Sequence, residues 1–160
     1  MMLLTPHTAA GVAIASVLPQ PELAIPLSFL SHFVLDFIPH WDKIGLGMRE
    51  KEPRPIAFGS TQSEMIALDV FLSLTYGLFF ANWVMPDYGW SATILLSAFA
   101  ANLPDMFYIP RVFFGKKWGW TEWMIELQHW VQQRSTVISP LLGLSTQVAT
   151  IAICLLVSLR

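Results

Sequence analysis

Long apolar stretches alternate with short polar breaks along the whole chain. The first two apolar stretches, residues 7–18 and 22–38, are separated by Pro19-Gln20-Pro21, a sequence that interrupts helices. Each stretch is shorter than the roughly 20 residues that a membrane-spanning helix needs. We therefore predict a short N-terminal helical hairpin, which either enters a bilayer without crossing it or is buried by other parts of the protein.

Three later stretches are long enough to cross a bilayer. They cover residues 62–85, 89–109 and 136–159, and the turn between the first two contains no Lys or Arg. Residues 120–134 combine tryptophans with charged side chains, as amphipathic helices at a membrane surface do. The pattern predicts an all-α, polytopic helical membrane protein, a single domain over residues 1–160, with about three full spans and one interfacial helix.

Composition strengthens the membrane interpretation. Charged residues make up 12% of the chain, whereas about 25% of the residues in an average soluble domain are charged. The alternative, a soluble helical protein, would have to shield three long and sparsely charged stretches from water. Because the formal net charge is −2 and no basic cluster occurs, we expect membrane lipids as partners and no nucleic acid.

The distribution of basic residues orients the predicted spans. The loops 43–61 and 111–134 hold eight of the nine Lys and Arg residues. The positive-inside rule therefore places both loops in the cytoplasm. The opening residues MMLLTPHTAAG lack a positively charged region, so no cleaved signal peptide is predicted there.

Ionisable side chains converge at one level of this predicted topology, near the cytoplasmic face. A charged group at bilayer depth costs about 2.5–3.5 kcal/mol on insertion scales and therefore marks a functional site by default. The candidates are His7, His32, Asp36, His40, Asp42, Asp69, Asp105 and His129.

The segment SHFVLDFIPHWD carries the densest group of these residues. His32 and Asp36 are four residues apart, so a helix places them on one face, where both can reach one ion. Pro39 is expected to end the helix, so that His40 folds back, with Asp42 as a further ligand or as a partner that orients an imidazole. Such ligands predict a divalent metal, zinc foremost, with manganese or iron if more oxygens join.

These residues carry a resemblance to known families. SHFVLDFIPHWD, with the early HTAAG, the Asp that ends NLPD and a late helix containing a histidine, resembles the bacterial membrane-bound metal-dependent hydrolases of the inner membrane. More distantly, it is similar to the helix motif of zinc-dependent phospholipase C and related single-strand nucleases. The resemblance implies an inner-membrane protein in which His32, Asp36 and His40 bind metal, joined by His7 and Asp105 from other helices.

The function expected from these residues is hydrolysis of a phosphoester or other ester in a lipid-type substrate by a metal-activated water. Asp69 would be a further ligand or the general base, and His129 is a second catalytic candidate. Non-enzymatic alternatives are a structural metal that pins the hairpin and a metal- or proton-binding element of a small transporter. A scaffold without metal predicts that replacing His32 and Asp36 leaves fold and function intact.

Overall fold

The computed structural model describes residues 3–41, 55–132 and 139–160, and every element of regular secondary structure within these ranges is a helix. The all-α prediction is confirmed for them. The helices in chain order are α1 Leu4–Val17, α2 Pro21–Asp36, α3 Thr61–Trp83, α4 Tyr88–Met106, α5 Ile109–Phe114, α6 Gly119–Gln132 and α7 Pro140–Ser158.

Helix ends coincide with breaks in the sequence. α1 ends at Val17 and Pro21 begins α2, so the first two helices form a hairpin around a three-residue connection, residues 18–20. Ser60 and Asp87 precede α3 and α4, and the side chain of each accepts a hydrogen bond from a backbone amide in the first turn that follows. Short polar side chains at this position satisfy amides that have no partner within the helix.

α1 lies at the centre of the bundle, where it packs against α2, α3, α4 and α7. Its side chains are mostly small, and those of Ala9, Val12 and Ala15 are fully buried. At Gly11 the backbone of α4 comes so close that an added Cβ would lie 2.6 Å from the carbonyl oxygen of Ser97. Because α1 is enclosed on nearly all sides, a polar residue that it carries is removed from solvent.

Two helices, α3 and α7, are long and apolar enough to cross a membrane. Both carry large apolar side chains that are exposed, such as Phe71, Leu78 and Ile153. The third span predicted at residues 89–109 is not confirmed. The helix found there, α4, packs against α1, α2 and α3, and its buried residues are mainly small or polar.

α6 has one buried and one exposed face, the amphipathic arrangement that was predicted for residues 120–134. The buried face consists of Thr121, Met124, Ile125, Gln128, Val131 and Gln132. The exposed face carries Trp120, Trp123, Leu127 and Trp130. The buried face points two glutamine side chains toward the bundle.

Candidate metal centre

Four buried ionisable residues meet at one end of the bundle. His7 lies in the first turn of α1, His32 and Asp36 lie in the last two turns of α2, and Asp105 lies in the last turn of α4. Each of the four is at most 4% exposed. The hairpin connection between α1 and α2 is what brings the start of one helix beside the end of the other.

The distances between these side chains fit ligands of a common ion. Nε2 of His7 is 3.6 Å from Oδ1 of Asp36, and Nε2 of His32 is 3.5 Å from Oδ2 of Asp36. Hydrogen bonds of this type are shorter, about 2.7–3.2 Å. Two ligand atoms about 2.1 Å from a tetrahedral zinc would be separated by about 3.4 Å. Ligand atoms of all three residues lie within 4.8 Å of one another, so the His7–His32–Asp36 group could hold a metal ion.

A backbone contact determines which nitrogen of His32 faces the carboxylates. Nδ1 is 2.8 Å from the carbonyl oxygen of Ala101. A carbonyl oxygen can only accept, so Nδ1 donates and Nε2 of the neutral ring presents its lone pair. That lone pair faces Asp36 and also Asp105, whose Oδ1 is 3.6 Å away. Acceptors that oppose one another in a buried site are unfavourable unless a cation lies between them.

The ring of His7 is likewise placed to bind a metal ion. Its ring stacks on that of His32, with centroids 4.1 Å apart, and neither of its nitrogens makes a hydrogen bond within the described residues. Burial, followed by the neighbouring His32, lowers the pKa of His7 to about 4. Burial opposes ionisation of Asp36, but its interactions with His7 and His32 outweigh burial and hold the Asp36 pKa below its usual range. Neutral imidazole and ionised carboxylate are the forms that bind metals.

Gln132 supports the group from α6. Its Nε2 donates a hydrogen bond of 2.9 Å to Oδ2 of Asp36, a contact that holds the carboxylate in place and leaves Oδ1 toward His7. One turn earlier, Gln128 donates to the carbonyl oxygen of Pro104 at 2.7 Å and ties α6 to the end of α4. Sequence reasoning singled out His129 in this helix and missed Gln132. The i, i+4 spacing of two glutamines on the buried face is the signal that points to them.

His129 lies on another side of α6 from these glutamines. Its ring packs beside Tyr108, with centroids 6.0 Å apart. The structure therefore does not bring it into the His7–His32–Asp36 group, and its catalytic role stays a prediction.

Asp69 bonds to the start of α1. Its Oδ2 accepts from the amide of Leu4 at 2.6 Å, and its Oδ1 accepts from the amide and the hydroxyl of Thr5 at 3.1 Å and 2.7 Å. A carboxylate there accepts hydrogen bonds from amides that have no partner within the helix. Its negative charge also interacts favourably with the positive end of the helix dipole. Because His7 follows in the same turn, these contacts give Asp69 a positioning role, and its role as a further ligand or the general base stays a prediction.

His40 is buried beside the group. Its Nδ1 is 2.8 Å from the carbonyl oxygen of Ile38, so Nε2 of the neutral ring keeps its lone pair. It is close enough to His7 to contribute to the lowered pKa of that ring. Asp42 lies outside the described residues, and its role as a ligand stays a prediction.

The chain has no match among protein-family models, curated proteins or solved structures. The family resemblance carried by SHFVLDFIPHWD stays a hypothesis.

Proposed function

We propose that this protein is a membrane-bound metal-dependent hydrolase that cleaves a phosphoester or another ester of a lipid-type substrate. The observation that supports the proposal is the group of buried acceptor atoms on His7, His32 and Asp36, which face one another at distances typical of metal ligands. Two imidazoles and one carboxylate favour zinc. Manganese or iron becomes the better fit if further oxygens, such as those of Asp105, complete the site.

The residues around the group have separate roles in this proposal. A divalent metal bound there supplies Lewis acidity and lowers the pKa of a bound water. His7, His32 and Asp36 hold the ion, while Ala101 and Gln132 orient two of these ligands.

Asp105 lies at the end of α4, with its Oδ1 3.6 Å from Nε2 of His32. Its carboxylate is placed to complete the ligand set or to accept the proton of the attacking water. The chemistry of the site then depends on ligands from three helices, α1, α2 and α4, held at one end of the bundle.

The surroundings of the group support a lipid-type substrate. α3 and α7 could cross a membrane. The exposed face of α6 carries Trp120, Trp123 and Trp130, which suit the boundary between headgroups and acyl chains. With the basic loops in the cytoplasm, the site would lie at the cytoplasmic face of a bacterial inner membrane.

Elemental analysis of detergent-purified protein tests the proposal. Wild type should carry stoichiometric zinc, manganese or iron, and His32→Ala/Asp36→Ala should lose it. His129→Ala is the matched control, because it removes an imidazole from outside the group and should retain the metal. Hydrolysis of bis(p-nitrophenyl) phosphate and of phospholipid in mixed micelles should follow metal content. Wild type that carries no ion after reloading with each metal contradicts the proposal.

A structural metal is the second candidate, favoured by the complete burial of His7, His32 and Asp36. Structural zinc sites are closed, whereas catalytic sites keep a position for water. A structural ion predicts that removing the metal lowers the melting temperature while no ester substrate is turned over by the loaded protein. Turnover that is lost with the metal and restored with it supports the hydrolase.

A further inference from the structure

A groove of about 480 Å³ runs between α3 and α4 beside the His7–His32–Asp36 group. Ligand sites in proteins have volumes of about 300–1,000 Å³. The residues at its mouth are apolar and open, with Leu74 60%, Leu78 58% and Phe99 51% exposed. At its inner end Asn102 and Asp105 are buried. The lining of the groove is almost entirely apolar, and Asn102 and Asp105 add buried polar groups to it beside the candidate metal site.

We propose that this groove binds one acyl chain of a membrane phospholipid and directs the ester-bearing end of that lipid toward the His7–His32–Asp36 group. The second half of this statement rests on the proposed function. Binding of the acyl chain depends on the groove alone and does not require the metal.

The length of the groove fits a lipid chain in one leaflet. Its lining on α3 extends from Ile66 to Leu78, and the rise of a helix over this interval is about 18 Å. One leaflet contributes roughly half of a hydrocarbon core that is about 30 Å thick. α3 is also one of the two helices that could cross a membrane. An acyl chain can therefore enter the groove sideways from the bilayer without passing through water.

The inner end of the groove offers an acceptor for the polar part of the lipid. Nδ2 of Asn102 donates to the hydroxyl of Thr8 at 2.7 Å and to the carbonyl oxygen of Ala98 at 2.9 Å. Because a carbonyl oxygen only accepts, these bonds define which amide atom is the oxygen. That oxygen, Oδ1, is buried without a hydrogen-bond partner in the described part of the chain. A headgroup hydroxyl reaching the inner end would supply the donor that it lacks.

Asp105 connects the groove to the candidate metal site. It lines the groove, and its Oδ1 is 3.6 Å from Nε2 of His32. Phe99, Asn102 and Asp105 follow one another along α4 in the order in which acyl chain, headgroup donor and ester would be placed. A purely apolar occupant, such as a helix of a second copy, would leave Oδ1 of Asn102 unsatisfied.

Photo-crosslinking in lipid nanodiscs tests the inference. The probe is phosphatidylglycerol with a diazirine in one acyl chain, and labelled residues are mapped by mass spectrometry. Label should concentrate on groove-lining residues of α3, α4 and α5 and should be competed by unlabelled phosphatidylglycerol. Leu74→Trp and Leu78→Trp should fill the mouth and reduce this label several-fold. Leu72→Trp is the matched control, since it changes an exposed leucine of the same helix outside the groove.

Two results would overturn the inference. Label spread evenly over the exposed faces of α3 and α7, unaffected by Leu74→Trp, would identify ordinary surrounding lipid. Crosslinked dimers joined through the groove would identify a second copy as its occupant. Metal content of the same samples separates the two proposals, because competable groove label without metal rejects the hydrolase alone, and metal without groove label rejects the lipid chain alone.

Discussion

His7 and His32 stack with their ring centroids 4.1 Å apart and their planes inclined by 20°. His7 lies near the start of α1 and His32 near the end of α2, which meet at the open end of the hairpin, and each directs Nε2 toward a different oxygen of Asp36. This relationship makes one carboxylate the shared partner of two buried imidazoles. Metal affinity and stability should therefore both respond to a change at Asp36.

Asp36→Asn removes the charge of the shared carboxylate and keeps its shape. The amide oxygen can still accept the hydrogen bond from Gln132, but we expect metal content to fall well below that of wild type. In metal-free samples this variant should be less stable than wild type, because it loses the contacts with His7 and His32 that hold the pKa of Asp36 below its usual range. Elemental analysis and thermal unfolding with and without chelator measure both effects. Stoichiometric metal in Asp36→Asn would show that Asp36 is not a ligand.

Gln132→Ala removes the amide that donates to Asp36. Loss of a partner that orients a metal ligand reduces affinity by about 10–100-fold, and we expect an effect in that range in competition with a chromogenic chelator. His129→Ala changes the side chain that the sequence suggested in the same helix, and it should leave affinity unchanged. If His129→Ala weakened metal binding and Gln132→Ala did not, His129 rather than Gln132 would belong to the metal site.

Asp69→Ala distinguishes a positioning role from a catalytic one. Removing the carboxylate leaves the first amides of α1 without their acceptor and should destabilise the protein by about 0.5–2 kcal/mol. Asp69→Asn should recover part of this loss, because its amide oxygen can accept one of the bonds. Melting temperature and turnover are measured together. A general base would instead show full loss of turnover in both variants with an unchanged melting temperature.

Gly11→Ala tests the contact that places α1 against α4. The added Cβ would meet the carbonyl oxygen of Ser97 at 2.6 Å, and overpacking of this kind costs about 1–3 kcal/mol. Gly119→Ala is the control, because no atom lies within 4 Å of its added Cβ. We expect a lower melting temperature and weaker metal binding for the first variant only. Equal melting temperatures for Gly11→Ala and wild type would show that α1 and α4 can move apart at this contact without loss of stability.

Local sequence was sufficient for the features that depend on one helix. Pro19-Gln20-Pro21 predicted the break between the first two helices, because proline acts on the backbone beside it. The pairing of His32 with Asp36 follows from the helical repeat, which brings residues four apart onto one face. Length and apolarity likewise indicated α3 and α7 as helices able to cross a membrane.

The way helices lie against one another depends on how their surfaces pack, and no single stretch of sequence specifies this packing. Hydropathy predicted a span at residues 89–109, which is not confirmed, and the helix found there, α4, packs against α1, α2 and α3. Asp69 appeared to be an isolated charge until the start of α1 provided its hydrogen-bond donors. His7 reaches Asp36, and Gln132 rather than His129 faces the group, because close contacts such as that at Gly11 determine the depth and rotation of each helix.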